Sequence, residues 1–361
     1  MDLSTIKKLN NELKKIISDS ENIYIIGHKK ADFDSVGASL GLARLCIEYK
    51  DKVYVMINDS DETLESGLKT IIHEVEKNYN ILRQTQFYSK DITNNSTLLV
   101  VDTNRKHLID LEDSLDMFKN VVVIDHHNIG TGSIDTEYSC IDTSSSSACE
   151  IVTQLLQLNK VAYDSNIATY LLAGIMLDTK RYIKNTTSKT MDTAEKLLTK
   201  GANYNKINDL FLVDFEQDRI INDLIFNNTV FESYDYSIPR NISYTFNIYN
   251  DKMIYRREDL GRAADKMLKY RVDGVFVFGQ IDDNTISISA RSKSDVNVGL
   301  IMEQLGGGGN FQNAGCQIQG KSIMEVYALL RETVKTNLQF PNIAKEPSVS
   351  NFQYIKTSKK D

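Results

Sequence analysis

Residues 23–35 read IYIIGHKKADFDS. Four apolar residues running into Gly27 have the pattern of a short buried strand that ends at a turn. His28, Asp32 and Asp34 then fall just beyond the carboxyl end of that strand, where open α/β sheets bind their ligands. The following stretch, SVGASLGLARL from Ser35, reads as a helix to about Tyr49, with small residues that can lie close on a sheet. One imidazole and two carboxylates at a strand exit suit a divalent cation. The plainer alternative makes Asp34 a helix cap and His28 a loop residue.

The same arrangement recurs downstream. Residues 52–58, KVYVMIN, read as a second strand. Residues 97–101, TLLVV, read as a third that ends in Asp102-Thr103-Asn104, and residues 121–124 as a fourth that ends in Asp125-His126-His127. Strands of continuous apolar character, separated by helical patterns, predict a parallel sheet covered on both faces. Residues 4–18 carry Leu9, Leu13, Ile16 and Ile17 at helical spacing, and residues 63–92 give no clear pattern. A helix follows Ser147, with Ser147 and Glu150 as a capping box. Another over 165–177 closes on Asp178-Thr179-Lys180, and a third over 188–200 is ended by Gly201.

The expected organisation is α/β: a parallel-sheet domain over 1–202, a helical linker over 203–235 and a smaller domain with a mixed sheet over 236–340. Strands are expected there at 242–249, 272–279, 284–291 and 315–319, and helices at 296–305 and 322–338, the last with a Ser322/Glu325 capping box. Within 285–291, TISISAR, Ile286, Ile288 and Ala290 share one face, while Ser287, Ser289 and Arg291 share the other, the pattern of a half-buried strand. The tail over 341–361 is polar and expected to be disordered.

Bulk properties exclude several classes. The 361 residues are 41% hydrophobic and 25% charged, with a net charge of -7. That balance argues against coating long nucleic acid but permits a small phosphorylated ligand held by local cations. Cys46, Cys140, Cys149 and Cys316 form no CxxC pair and read as free thiols in a reducing compartment. The amino terminus is an amphipathic helix, too polar for a signal sequence, and no apolar run approaches the ~18 residues of a membrane span. No membrane segment is expected in this chain, and the cytoplasm is the expected compartment.

His28/Asp32/Asp34, Asp102, Asp125/His126/His127 and Asp178 all sit at strand or helix ends, which a parallel sheet would gather along one edge. Many oxygens with two or three imidazoles suit Mn²⁺, and also Mg²⁺ or Fe²⁺, whereas structural zinc would recruit cysteines. So many carboxylates repel one another unless cations neutralise them. Two cations ~3.5–4 Å apart would do so, and would supply a nucleophile at neutral pH for in-line attack at phosphorus. The reaction class is metal-assisted phosphoester hydrolysis.

His28-x-x-x-Asp32-x-Asp34, VVDTN at 100–104, IDHH at 124–127 and LDTK at 177–180 resemble the four motifs of the DHH phosphoesterase superfamily. ISARS at 288–292 and GGGGNFQNAG at 306–315 resemble its DHHA1 companion domain. The resemblance runs in order over residues 20–335. AGIMLDTKRY and DVNVGLIMEQLGGGG are most similar to the catalytic portion of the GdpP-type cyclic-di-AMP phosphodiesterases, with the nanoRNases as near neighbours.

That resemblance implies two Mn²⁺ ions, one on His28, Asp32 and Asp102, the other on Asp34, Asp102, His126 and Asp178. Asp102 would bridge them, Asp125 would orient a ring, and His127 would face the substrate phosphate or leaving oxygen. For His127 the alternative is a structural histidine, and for Asp178 a helix-end residue. Gly306, Gly307, Gly308 and Gly309 have backbones free to converge on an anion, and Arg291 can hold phosphate with two parallel bonds; both would bind substrate, with Asn310. Taken alone, the glycines could be a hinge and Arg291 a surface residue. The implied substrate is cyclic di-AMP, opened to pApA. The alternatives are pApA or a short oligoribonucleotide as substrate, or a nucleotide-binding module with weakened catalysis. A manganese inorganic pyrophosphatase shares the amino-terminal motifs, but the glycine run speaks against it. Two positions depart from the family: Asn310 replaces a histidine and Asn128 an arginine, so the hydrolytic core is expected intact with altered substrate affinity. GdpP-type enzymes carry membrane and sensory domains ahead of this portion, so the chain is expected to be a stand-alone relative or an excised fragment. Pairing into a homodimer is left open.

Overall fold

The computed structural model describes residues 3–57, 64–83, 86, 92–130, 132–213, 215–236, 239–247, 253–293 and 295–339. The chain divides into two compact units, Met1–Val213 and Asp214–Asp361.

Strand β1 (Asn22–Ile26) is the axis of the first unit. It pairs in parallel with β2 (Val53–Met56) on one side and with β4 (Ser96–Val101) on the other. β3 (Asn80–Leu82) extends the sheet beyond β2, and β5 (Asn120–Asp125) and β6 (Tyr138–Ile141) extend it beyond β4. The order β3-β2-β1-β4-β5-β6 reverses direction between β1 and β4, so the carboxyl ends of those two strands flank the crevice where such sheets hold ligands.

The strands are buried on both faces, as their continuous apolar runs require. Ile23, Ile25, Leu99 and Val101 join a core with α1 (Leu3–Asp19), α2 (Phe33–Ile47), α3 (Ser66–Val75), α4 (Ala148–Leu158) and α5 (Ser165–Asp178). Tyr24, Ile26, Leu98 and Val100 face the other way, onto Leu111, Leu115 and Phe118 around the 3₁₀ turn Glu112–Met117. Tyr24 stacks on Tyr54 at 5.2 Å and meets Phe118 edge-on at 5.6 Å. α6 (Ser188–Thr199) and α7 (Tyr204–Leu210) complete the unit; Thr187 and Thr190 close a reciprocal cap on α6, while Ile207 and Leu210 of α7 enter the core.

The second unit holds a six-stranded mixed sheet, also between helices. Its order is β11 (Gly308–Gly309), β12 (Asn313–Gln319), β10 (Thr285–Ser292), β9 (Gly274–Asp282), β8 (Arg240–Thr245) and β7 (Thr229–Tyr234). Among the described strand pairs, only β8 and β9 run parallel. Ile286, Ile288 and Ala290 pack with Val298 and Ile301 of α10 (Val298–Gln304) and with Val326, Leu330 and Val334 of α11 (Ile323–Gln339). On the opposite face, Val275 and Val277 pack with α8 (Phe215–Asn227) and α9 (Arg257–Met267).

Several elements differ from the sequence reading. The first sheet has six strands rather than four, because β3 and β6 are short edge strands with partly exposed side chains. α2 begins at Phe33 and ends at Ile47. β10 is covered on both faces rather than half-buried; Ser287 is 4% exposed beneath α9. The Ser322/Glu325 box forms, with Ser322 N donating to Glu325 Oε2 at 2.8 Å and Glu325 N to Ser322 Oγ at 3.3 Å. Residues 203–235, expected as a linker, hold α7, which packs in the first unit, and α8 and β7, which pack in the second. The tail over 341–361 lies outside the described residues. All four cysteines are buried, and none is in a disulfide. Among the described residues, no helix is long and apolar enough to cross a membrane.

Candidate metal centre

Each element delivers its side chain for a local reason. His28 follows the end of β1. Asp32, not Asp34, caps α2: its Oδ1 accepts from the N–H groups of Asp34 (2.9 Å) and Ser35 (3.0 Å). Its Oδ2 stays directed at His28 Nε2, 3.6 Å away. Asp34 is fully buried, and its two oxygens accept from the first N–H groups of α4, Ala148 at 2.7 Å and Cys149 at 2.8 Å. Ser147 starts that helix by accepting from Glu150 N at 3.0 Å. The expected capping box is only half made, because the Glu150 carboxylate turns to Ser146 and Thr190 instead. Asp178 ends α5, and Gly174 lets that helix approach: a Cβ there would stand 2.8 Å from Asp34 Cα.

Asp102 lies just past β4 in the left-handed region, at φ 61°, a conformation that is costly for a residue with a Cβ. Its N–H donates to Ile124 O at 3.0 Å, tying the ends of β4 and β5 together. Its carboxylate straddles two groups of side chains: Oδ2 is 3.3 Å from His28 Nε2, and Oδ1 is 3.3 Å from His126 Nε2. The first group is His28, Asp32 and Asp102; the second is Asp34, His126 and Asp178. In each, one donor atom per residue lies within 4.8 Å of the others. His126 Nε2 is 3.0 Å from Asp178 Oδ2 and 3.7 Å from Asp34 Oδ2. Thus the structure brings together all six residues expected as metal ligands.

Two atoms at the middle of the cluster, Asp102 Oδ1 and His126 Nε2, are buried and make no hydrogen bond. Buried polar atoms are rarely left so, and a cation between them would satisfy both. The oxygen-rich donor set fits a hard or borderline divalent ion. The electrostatics agree. Burial, then the charges of Asp102 and Asp178, push the Asp34 carboxyl well above its ordinary range. Asp178 is raised by burial and by Asp102 and Asp32. Burial disfavours charge on His28, but Asp102 and Asp32 outweigh it and push its pKa up to about 11. Burial likewise opposes charge on His126, yet Asp102 and Asp178 raise it to about 11. Protonated rings supply the positive charge that a metal would otherwise bring.

Asp125 has a different job. Its Oδ1 accepts from His126 N (2.7 Å), His127 N (3.1 Å) and His127 Nδ1 (2.9 Å), and its Oδ2 from Asn104 Nδ2 (2.7 Å). His127 therefore presents Nε2 outward from a ring that is 56% exposed. The bond to Asp125 raises the His127 pKa. Asn104, to which the sequence reading gave no role, also donates to His127 O (3.3 Å) and Asn128 O (3.4 Å). Its place in VVDTN was the available signal.

In the second unit the expected substrate residues are largely engaged. Arg291 Nε donates to Asp265 Oδ1 of α9 at 3.2 Å. Gly306, at φ 81°, and Gly307 close α10: their N–H groups donate to Glu303 O (3.0 Å) and Met302 O (2.8 Å). A Cβ on Gly307 would lie 2.2 Å from Gly315 O, whereas one on Gly308 meets no described atom within 4 Å. Asn310 Oδ1 accepts from Gln312 N (3.0 Å) and Asn313 N (2.8 Å).

Comparison with known proteins accords with this layout. Residues 22–175 match the DHH family, N-terminal domain, and residues 244–336 match the DHHA1 domain. Cyclic-di-AMP phosphodiesterase GdpP of Bacillus subtilis is 32% identical over 333 residues, covering 90% of this chain and 49% of that protein, so the chain spans about half of that relative's length. Bifunctional oligoribonuclease and PAP phosphatase NrnA of Mycoplasma genitalium is 24% identical over 318 residues, covering 84% of this chain and 91% of that protein. The crystal structure of an exopolyphosphatase-related protein from Bacteroides fragilis superposes with a TM-score of 0.76 at 20% identity, covering 94% of this chain and 98% of that one, a likeness of fold. With its strand-end acids and imidazoles gathered at the sheet's switch point and both domains matched in order, the chain belongs to the DHH/DHHA1 phosphoesterase superfamily.

Proposed function

We propose that this chain is a metal-dependent phosphodiesterase that hydrolyses cyclic di-AMP to pApA with two Mn²⁺ ions. The observation that carries the reading is the Asp102 carboxylate, which turns one oxygen to His28 and the other to His126. One ion would be held by His28, Asp32 and Asp102, the other by Asp34, Asp102, His126 and Asp178. Bound there, such a pair supplies a water of lowered pKa and neutralises the phosphate oxygens. The chain's own residues do the rest. Asp125 and Asn104 fix the His127 ring, so that its outward Nε2 can meet the phosphate or protonate the leaving oxygen. The N-terminus of α4 holds Asp34 at a fixed angle. In the second domain, Arg291, Gly308 and Asn310 would bind nucleotide.

The cyclic substrate is favoured by the 32% identity to GdpP over 90% of this chain. A second reading, hydrolysis of pApA or short oligoribonucleotides, is supported by NrnA, of which this chain covers 91%. Incubation with cyclic di-AMP and pApA separately, with Mn²⁺, decides between them. Conversion of cyclic di-AMP to pApA is expected. Turnover of pApA alone would establish the second reading in its place, and tight binding with no turnover of either would make the chain a nucleotide-binding module.

A further inference from the structure

Arg105 lies three residues beyond Asp102, so their Cα atoms are at most ~11 Å apart. The backbone there is held firmly. Arg105 bridges Ser133, Lys106 N donates to Gly132 O at 3.0 Å, and Ile134 N donates to Asn104 O at 2.7 Å. Those contacts tie the segment to the loop that follows His127. The Arg105 side chain, which is half-buried, lies over Gly130 of that loop. A Cβ on Gly130 would stand 2.8 Å from Arg105 Nη2 and 3.3 Å from Cζ. Gly130 is not at positive φ, so what its missing side chain provides is room for the guanidinium.

Among the described residues, that guanidinium has no carboxylate and no hydrogen-bond acceptor; only the Arg105 backbone is engaged, its N–H donating to Thr103 Oγ1 at 3.3 Å and its C=O accepting from Leu108 N at 3.1 Å. It makes no ion pair with Asp102 or Asp125, so it stands outside the metal cluster. An arginine that is anchored, partly shielded from water and still holding all its side-chain donors is suited to a planar or tetrahedral anion. The surroundings favour an anion too. Lys106 and His107 follow directly, and Lys29 N donates to Leu108 O at 2.6 Å, which brings the Lys29 segment to the same rim. Arg105, Lys106 and Lys29 thus put three basic residues on neighbouring segments of a chain of net charge -7.

We propose that Arg105 is a substrate-binding residue that takes a second phosphate of the substrate, one that is not being cleaved. The inference rests on the phosphodiesterase reading and narrows its substrate to nucleotides carrying two phosphate groups. The scissile group belongs among the six acids and imidazoles; the second belongs on the rim, across the His127 loop, where Arg105 can grip it with two parallel bonds.

The test is equilibrium binding of pApA and of ApA, which lacks the terminal phosphate, with Ca²⁺ in place of Mn²⁺. The wild-type chain is expected to bind pApA about 10- to 100-fold more tightly than ApA. Arg105→Ala should erase most of that preference and Arg105→Lys should keep part of it. Gly130→Ala, which pushes the guanidinium aside, should lower it less. No preference in the wild type, or an undiminished preference in Arg105→Ala, overturns the proposal. Hydrolysis of bis(p-nitrophenyl) phosphate by the wild type with Mn²⁺ checks the phosphodiesterase reading separately. Its absence would remove that reading, while the binding comparison would still decide the role of Arg105.

Discussion

The two sheets treat their motif residues in opposite ways. At the edge of the parallel sheet, four carboxylates and two imidazoles crowd together, and Asp102 Oδ1 and His126 Nε2 are buried without a hydrogen bond. In the mixed sheet, Arg291 is bonded to Asp265, Gly306 and Gly307 close a helix, and Asn310 folds back on its own loop. The fold by itself accounts for most of the second set and for little of the first. Buried ligand-type groups with unspent bonding capacity, gathered in one cluster, call for an explanation that a bound cation supplies. By that criterion the chemistry lies on the parallel sheet, and Gly308 is the glycine of the run that the fold does not explain.

The strongest way to break this contrast is Asp102→Asn. Hydrolysis should fall about 10³-fold or more, since several kcal/mol of charge stabilisation depend on the bridge. Circular dichroism of the metal-free variant should stay native, while the rise in Tm on adding Mn²⁺ should vanish. A retained Mn²⁺-dependent Tm rise would mean that Asp102 joins nothing. Next in size is Asp125→Asn, which removes the charge behind His127 and the bond from Asn104 Nδ2 without touching the six clustered side chains. A loss of about 10- to 100-fold in kcat is expected, with Asn104→Ala in the same direction and weaker.

The second unit sharpens the comparison from the other side. Gly307→Ala should cost about 1–3 kcal/mol in urea unfolding, because its Cβ collides with Gly315 O. Gly308→Ala should change stability by less than about 0.5 kcal/mol, so a rise in KM there would report on ligand contact. Equal destabilisation by both would erase the distinction drawn within the glycine run.

The pH dependence of stability tests the same cluster. The His28 and His126 pKa values are raised from 6.5 to about 11 in the folded, metal-free chain. Their contribution to stability is complete below pH ~6.5 and is lost as pH rises toward the folded value. Between pH 7 and 10 the metal-free Tm should fall. With saturating Mn²⁺ the slope should reverse, because the ion displaces those protons and binds more tightly as pH rises. Parallel slopes with and without metal would count against the cluster as its site.

Much of this was legible in the chain because function and fold coincide at strand ends. β1, β2, β4 and β5 are buried on both faces, so their apolar runs are unbroken, and Gly27-His28, Asp102 and Asp125 mark where three of them stop. β3 and β6 escaped because an edge strand with exposed side chains carries no hydrophobic pattern; its pairing is written in backbone hydrogen bonds. The Ser147 cap was readable, but not what α4 points at: Asp34 meets Cys149 across 115 residues. The roles of Asn104 and Arg105 were hidden for the same reason, since both act on the His127 loop rather than on their sequence neighbours. The glycine run was read as an anion cradle, yet two of its N–H groups terminate α10, a use that depends on where that helix ends.

The most direct measurement is anomalous diffraction from a crystal soaked in Mn²⁺. Two peaks are predicted, one among His28, Asp32 and Asp102, the other among Asp34, His126 and Asp178, with an Asp102 oxygen on each. A single peak, or none within reach of Asp102, would contradict the account.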